Sequence, residues 1–278
     1  MFTGFGNEDE LKHFREAHRT FIEAMEPLFK TFRKVFARKI EAAAPIANKV
    51  VFHLGLLCVE DYKEILLLCS NGYGVGGLKI IRGLYEKAVT ADYISSHPDQ
   101  AETFLSYFWV HMRKQINHQK KAFKGHILTP DEVSEIEAEY DKVKDDFQET
   151  LCKKCGTTKP QMSWTKLNIE AMAVAADSPL QEWYYECYFL PTLQTHTTVP
   201  AIFERLRSLN TEFASYFSEE PQRDWSKRVL RDAHLLMLMV LNRQNEHFGL
   251  NLDDELWERA ADLDSSWKLG DENKNTSS

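Results

Sequence analysis

The stretch Leu78-Lys79-Ile80-Ile81-Arg82-Gly83-Leu84-Tyr85-Glu86-Lys87-Ala88-Val89 decides the fold class. Its apolar residues, Leu78, Ile80, Ile81, Leu84, Tyr85, Ala88 and Val89, surround a helix on all sides rather than marking one stripe. A helix of that kind belongs at the centre of a helical protein. Arg82 and Glu86 stand one turn apart on the same face of it. Burying either charge alone is costly, so the two are expected to pair with each other or with a third polar group. Two roles stay open for them: a structural ion pair that sets helix register, or the wall of a polar pocket inside a bundle.

The same periodicity extends in both directions. Before this stretch, Phe14, Phe21, Leu28, Phe32 and Val35 recur at helical spacing, and Asn7 with Glu10 forms a capping box at the start. Pro27 predicts a kink or break in that run. Pro45 opens a helix reaching about position 70, and Asn71-Gly72-Tyr73-Gly74-Val75-Gly76-Gly77 then punctuates. This glycine segment lacks the preceding strand and following Gly-Lys-Ser/Thr of a phosphate loop, so it reads as a turn or a close helix approach. Further helices are predicted over 76–96, 98–124, 129–150, 164–176, 178–190, 201–217, 220–247 and 252–269, with a polar stretch at 191–200. Thr129, Pro130 and Glu132 start the third of these, and Gly249 sits where a left-handed cap would end the 220–247 helix. No linker rich in Gly, Pro or Ser and no fixed-period repeat interrupts the chain. The expectation is an all-α protein, a single multi-helix bundle of about eight to ten helices. It covers residues 1–269, with 1–44 as an N-terminal helical extension and 45–250 as the core bundle; 270–278 is a disordered polar tail.

Composition narrows the class. The 278 residues are 43% hydrophobic, enough for a sizeable core, and 34 basic against 42 acidic side chains leave a net charge of −8. That balance argues against a general nucleic-acid coat. The longest apolar run, 50–59, is far short of the ~20 residues of a membrane span, and the first residues lack the basic and apolar regions of a signal peptide. A cytoplasmic protein with no membrane partner is expected, its five cysteines reduced.

Three constellations carry candidate chemistry. Cys152-Lys153-Lys154-Cys155-Gly156 looks like half of a zinc ribbon, but a structural zinc needs four ligands and Cys58, Cys69 and Cys187 are isolated. No metal and no cofactor is expected; were a metal bound, Cys152 and Cys155 would hold it, with His118 and His126 as first partners. The pattern Arg-x4–6-His occurs twice, at Arg113–His118 and Arg228–His234, as often as chance supplies. Arg113 and His118 lie among Lys114, Lys120, Lys121 and Lys124, and are the candidate catalytic pair for ribonuclease-type cleavage. The third is a polar island, Trp183-Tyr184-Tyr185 and Cys187-Tyr188 leading into Thr195-His196-Thr197, where His196 can act as acid, base or ligand contact.

At these residues the chain resembles a bacterial family, domain-of-unknown-function family 5677. The similarity rests on Ile81-Arg82-Gly83-Leu84-Tyr85-Glu86, with Gly83 in place of the family's usual small Ser. It continues through Trp164, Ile169, Met172, Tyr184, Tyr188 and His196 in the family's order. It covers roughly residues 50–207. The resemblance implies an all-helical bundle with Arg82, Glu86, Tyr188 and His196 as motif positions, and no established reaction. Bundles of this look have been likened to HEPN domains, many of which serve RNA cleavage, toxin–antitoxin pairs or phage defence. No Arg-x4–6-His match falls on the family motif.

The leading expectation is a bacterial cytosolic protein with a polar intra-bundle pocket, a defence or toxin–antitoxin component acting on RNA. The alternatives are a non-enzymatic protein-interaction module, with a partner protein or a second copy of the chain, and a small-ligand sensor. Under all three, Arg82, Glu86, Tyr188 and His196 are expected to meet in one partly buried cluster. If that cluster is structural, Glu86→Ala is expected to cost about 3–5 kcal/mol.

Overall fold

The computed structural model describes residues 6–122, 128–152, 154–195, 199, 202 and 220–272. Among them are ten α-helices and one two-stranded antiparallel ribbon, so the fold is all-α. The helices are α1 (Glu8–Ala17), α2 (Arg19–Phe36), α3 (Ile46–Ser70), α4 (Gly74–Ser96), α5 (Gln100–Ala122), α6 (Pro130–Val143), α7 (Ile169–Ala175), α8 (Leu190–Thr195), α9 (Arg223–Phe248) and α10 (Asp253–Glu272). No helix of the described residues is long and apolar enough to cross a membrane. The chain divides into two compact units, Met1–Ser96 with Ile169–Ser278, and His97–Asn168.

In the first unit α3, α4 and α9 pack on one another and enclose the core. Tyr62 and Ile65 of α3, Ile81, Leu84, Tyr85 and Ile94 of α4, and Leu230, Leu236 and Met237 of α9 are fully buried there. The all-round apolar character of 78–89 thus reflects a central helix contacted from several sides. The α1 and α2 helices join this core through Phe14, Phe21, Leu28, Phe32 and Val35, and α2 also packs on α10. Asn7 caps α1 by accepting from the Glu10 amide at 3.0 Å. The Glu10 carboxylate is itself buried and takes Arg223 of α9 in a forked contact at 2.7–3.1 Å.

The glycine segment does serve a turn and a close approach. Gly72 has φ +81°, a left-handed conformation that a side chain would strain. A Cβ on Gly74 would lie 2.4 Å from the Ser226 amide nitrogen, so the start of α4 meets the start of α9 backbone to backbone. The Gln222 amide donates to the Gly72 carbonyl at 2.8 Å across that contact.

Four predicted elements differ in the structure. The first helical run breaks at His18 (φ −121°, ψ 39°), and α2 continues through Pro27. Proline removes one backbone bond, and burial of Ala24, Leu28, Thr31 and Phe32 on either side offsets that loss. The helix predicted to 150 ends at Val143, followed by strand β1 (Gln148–Thr150). Asp145 and Asp146 would put two negative charges at the negative end of the helix dipole, and Phe147 turns into a local core instead. The 178–190 helix is a 3-10 turn (Pro179–Trp183) and a π turn (Tyr185–Phe189) leading into α8. Pro191 has no N–H for the Cys187 carbonyl, and the coil widens so that the Leu190 amide bonds to Tyr185, five residues back. At the C-terminal end, α10 runs to Glu272, past the position 270 where the tail was expected to begin; 273–278 lie outside the described residues. Most of the predicted 201–217 helix lies outside them too. Gly249 takes the left-handed conformation (φ +60°) that ends α9.

The second unit is built on α5 and α6, with Tyr107, Val110 and Phe147 as its small core against Tyr140, Val143 and Trp164. Strand β1 pairs with β2 (Thr158–Pro160), Gln148 opposite Pro160 and Thr150 opposite Thr158. The Gln161 carbonyl that follows accepts from the Tyr107 hydroxyl and the Lys114 ammonium, both at 2.8 Å, fastening the ribbon to α5.

Candidate functional site

Arg82 and Glu86 project one turn apart from α4 and form an ion pair at 2.9 Å. The same Arg82 Nη2 also donates to the Tyr188 hydroxyl at 3.4 Å, and the guanidinium lies 5.0 Å from the Tyr188 ring centroid. Tyr188 stands on the π turn, stacked on Tyr184 with centroids 5.3 Å apart, and its ring is 6.1 Å from that of Tyr85. Tyr85 in turn donates to the Leu180 carbonyl at 2.8 Å, which ties α4 to the 3-10 turn. Three of the four expected residues therefore touch; His196 lies outside the described residues. The cluster is half-buried: the Arg82 and Glu86 side chains retain 24% and 37% of their exposure.

A second, more deeply buried cluster went unread in the sequence. Asp92 of α4 accepts from Arg243 Nε of α9 at 2.9 Å and from the Ser178 hydroxyl. Ser178 is fully buried and caps the 3-10 turn by accepting from the Leu180 amide at 3.2 Å. Burial pushes the Asp92 carboxyl above the usual carboxylate range, and the Arg243 guanidinium opposes that shift. Arg243 also meets Glu246 at 3.1 Å. A signal for this cluster existed: Asp92 interrupts the run Val89-Thr90-Ala91-Asp92-Tyr93-Ile94.

Above this cluster lies a groove of about 750 Å³. Leu235, Leu238 and Met239 of α9 form one wall and Leu256, Trp257 and Leu263 of α10 the other. Trp257 is 77% exposed. The charged groups lining the groove are four carboxylates, Asp92, Asp177, Glu246 and Asp253, against the single guanidinium of Arg243.

The remaining candidates are dispersed. Arg113 donates to Asn117 at 2.9 Å and lies 3.5 Å from Glu137 of α6, while His118 is exposed on α5. His234, the other histidine with an upstream Arg, is buried between Phe21 and Tyr62, and burial lowers its pKa to about 4. Cys58, Cys69 and Cys187 are buried, whereas Cys152 is half-buried and Cys155 exposed on the loop joining β1 and β2. No group of three or more metal-ligating side chains occurs among the described residues; His126 is outside them. At the far end of α9, the His247 imidazole bridges Ser95 (2.8 Å) and Asn48 (3.0 Å), joining the ends of three helices.

The model of a family described as "Family of unknown function (DUF5677)" matches residues 48–213. Arg82, Glu86, Asp92, Ser178 and Tyr188 fall inside that span, and α9 and α10 outside it. No curated protein and no solved structure matches the chain. With more than half of its length in the matched span, the chain belongs to the DUF5677 family of proteins of unknown function.

Proposed function

We propose that this protein is a protein-interaction module that holds a basic, apolar-studded segment of a partner in the groove between α9 and α10. The observation that carries this reading is the lining of the groove: apolar side chains on both walls and four carboxylates around one guanidinium that is already paired. Leucine-like side chains fit such walls, and a Lys or Arg beside them would meet a rim in which four carboxylates stand against one guanidinium, together with the Trp257 ring. The same charges repel a phosphate backbone, so RNA is the less supported ligand here. RNA cleavage by Arg113 and His118 has less support still, because Arg113 is engaged by Asn117 and Glu137.

The test uses the full chain with three probes: an amphipathic Leu/Lys peptide, its Leu/Glu counterpart and a single-stranded RNA oligonucleotide. Saturable binding of the Leu/Lys peptide is expected, weakened about tenfold or more in Trp257→Ala, an exposed position whose loss leaves the fold intact. Equal binding of the Leu/Glu peptide, an unchanged Trp257→Ala variant, or binding of the RNA alone would each overturn the proposal.

A further inference from the structure

We propose that Cys152 and Cys155 form a redox-active dithiol that reduces disulfides by thiol–disulfide exchange. The site stands on the second unit and is independent of the groove. The β1–β2 ribbon ends in a closed loop: the Thr157 carbonyl accepts from the Leu151 amide at 2.8 Å and the Cys152 amide at 3.3 Å, and the Gly156 amide donates to the Cys152 carbonyl at 2.9 Å. Gly156, at φ +71°, lets the chain turn back without strain. That last bond draws the two ends of the Cys-x-x-Cys segment together, so that Cys152 and Cys155 stand on one short closed loop.

Thiolate chemistry needs donors around the sulfur and access from solvent, and Cys155 has both. Its sulfur lies 2.9 Å from the Thr157 hydroxyl and is exposed. Hydrogen bonds from the Thr157 side chain, from Cys152 and from the Thr157 amide bring its pKa down to about 7. A thiol with a pKa near ambient pH is the most effective attacking group in exchange reactions. The other three cysteines are buried, and burial raises the pKa of each. The pair cannot complete a tetrahedral zinc site by itself, since no third metal-ligating side chain groups with it among the described residues.

The reaction balances with a disulfide, R–S–S–R, as oxidant. The Cys155 thiolate attacks one sulfur, forming Cys155–S–S–R and releasing RS⁻. Cys152 gives up its proton, which RS⁻ takes, and attacks the Cys155 sulfur to expel the second RS⁻. The protein dithiol loses two electrons and becomes the Cys152–Cys155 disulfide; the substrate disulfide gains them and leaves as RSH and RS⁻.

Reduced, full-length protein is treated with glutathione disulfide and followed by intact mass, peptide mapping and release of glutathione. The wild-type chain is expected to lose two hydrogens, release two glutathiones and yield a linked Cys152–Cys155 peptide. Cys152→Ser is expected to stop at a glutathione adduct on Cys155, and Cys155→Ser to react about tenfold or more slowly. Alkylation of Cys155 should show a pH midpoint near 7. A wild-type chain that ends as a stable glutathione adduct would overturn the proposal. So would equal reactivity of Cys155→Ser and wild type, or stoichiometric zinc in the purified protein that shields both thiols.

Discussion

The two polar clusters of the first unit differ in how they are assembled and in what they are worth. Arg82 and Glu86 come from one helix four positions apart, and both side chains keep contact with water. Pairs of that kind contribute about 0.3–0.5 kcal/mol, and an exposed cation–π contact such as that with Tyr188 adds about 0.5–1. Asp92, Ser178 and Arg243 come from segments 86 and 151 positions apart in sequence, and Asp92 is 7% and Arg243 21% exposed. A buried pair contributes little against an apolar replacement, but removing one partner leaves the other uncompensated. The half-exposed pair decorates the bundle, whereas the buried triad locks α4, the 3-10 turn and α9 together.

Breaking the buried triad should have the largest effect. Asp92→Ala leaves the buried Ser178 hydroxyl without its acceptor and Arg243 with Glu246 alone, with an expected loss of about 3 kcal/mol. Equilibrium urea unfolding measures it; a loss no greater than that of Glu86→Ala would erase the distinction between the clusters. The next effect comes from His234, which shares the interior with Asp92. Its pKa is about 4 in the folded chain against 6.5 for a free imidazole. Between those values the unfolded chain binds a proton that the folded one refuses, so stability falls as pH drops through that window. The slope approaches 1.4 kcal/mol per pH unit, about 3 kcal/mol in all. A His234→Leu variant should lose less stability by that amount between pH 7 and pH 4; parallel curves for the two proteins would refute the assignment. The smallest effect belongs to Glu86→Ala, about 1 kcal/mol or less, because Arg82 keeps the Tyr188 ring and water. This replaces the 3–5 kcal/mol expected for a fully buried pair, and a measured loss in that upper range would show that the half-exposed geometry misrepresents the cluster.

The legible and illegible parts of this chain divide along the same line. Helix positions followed from spacing, and the Asn7 and Thr129 caps and the Gly249 terminator followed from residue type, since each acts within a few residues of itself. The Arg82–Glu86 pair was readable for the same reason. Pro27 does not end α2, because burial of Leu28 and Phe32 beyond it holds the helix together past the missing backbone bond. The hairpin after α6 was missed because Phe147 finds its apolar partners, Tyr107 and Val110, only in the folded unit.

By itself, then, the amino-acid sequence determined an all-α fold, a central α4 with Arg82 and Glu86 on one face, and a cysteine pair in a polar stretch. These are short-range properties, carried by the 3.6-residue period and by capping chemistry. Only the tertiary structure decided that Asp92, Ser178 and Arg243 meet and that α9 and α10 leave an acidic-rimmed apolar groove between them. Each of those depends on which helices pack together, and burial sets both the partner and the strength of every charge within them.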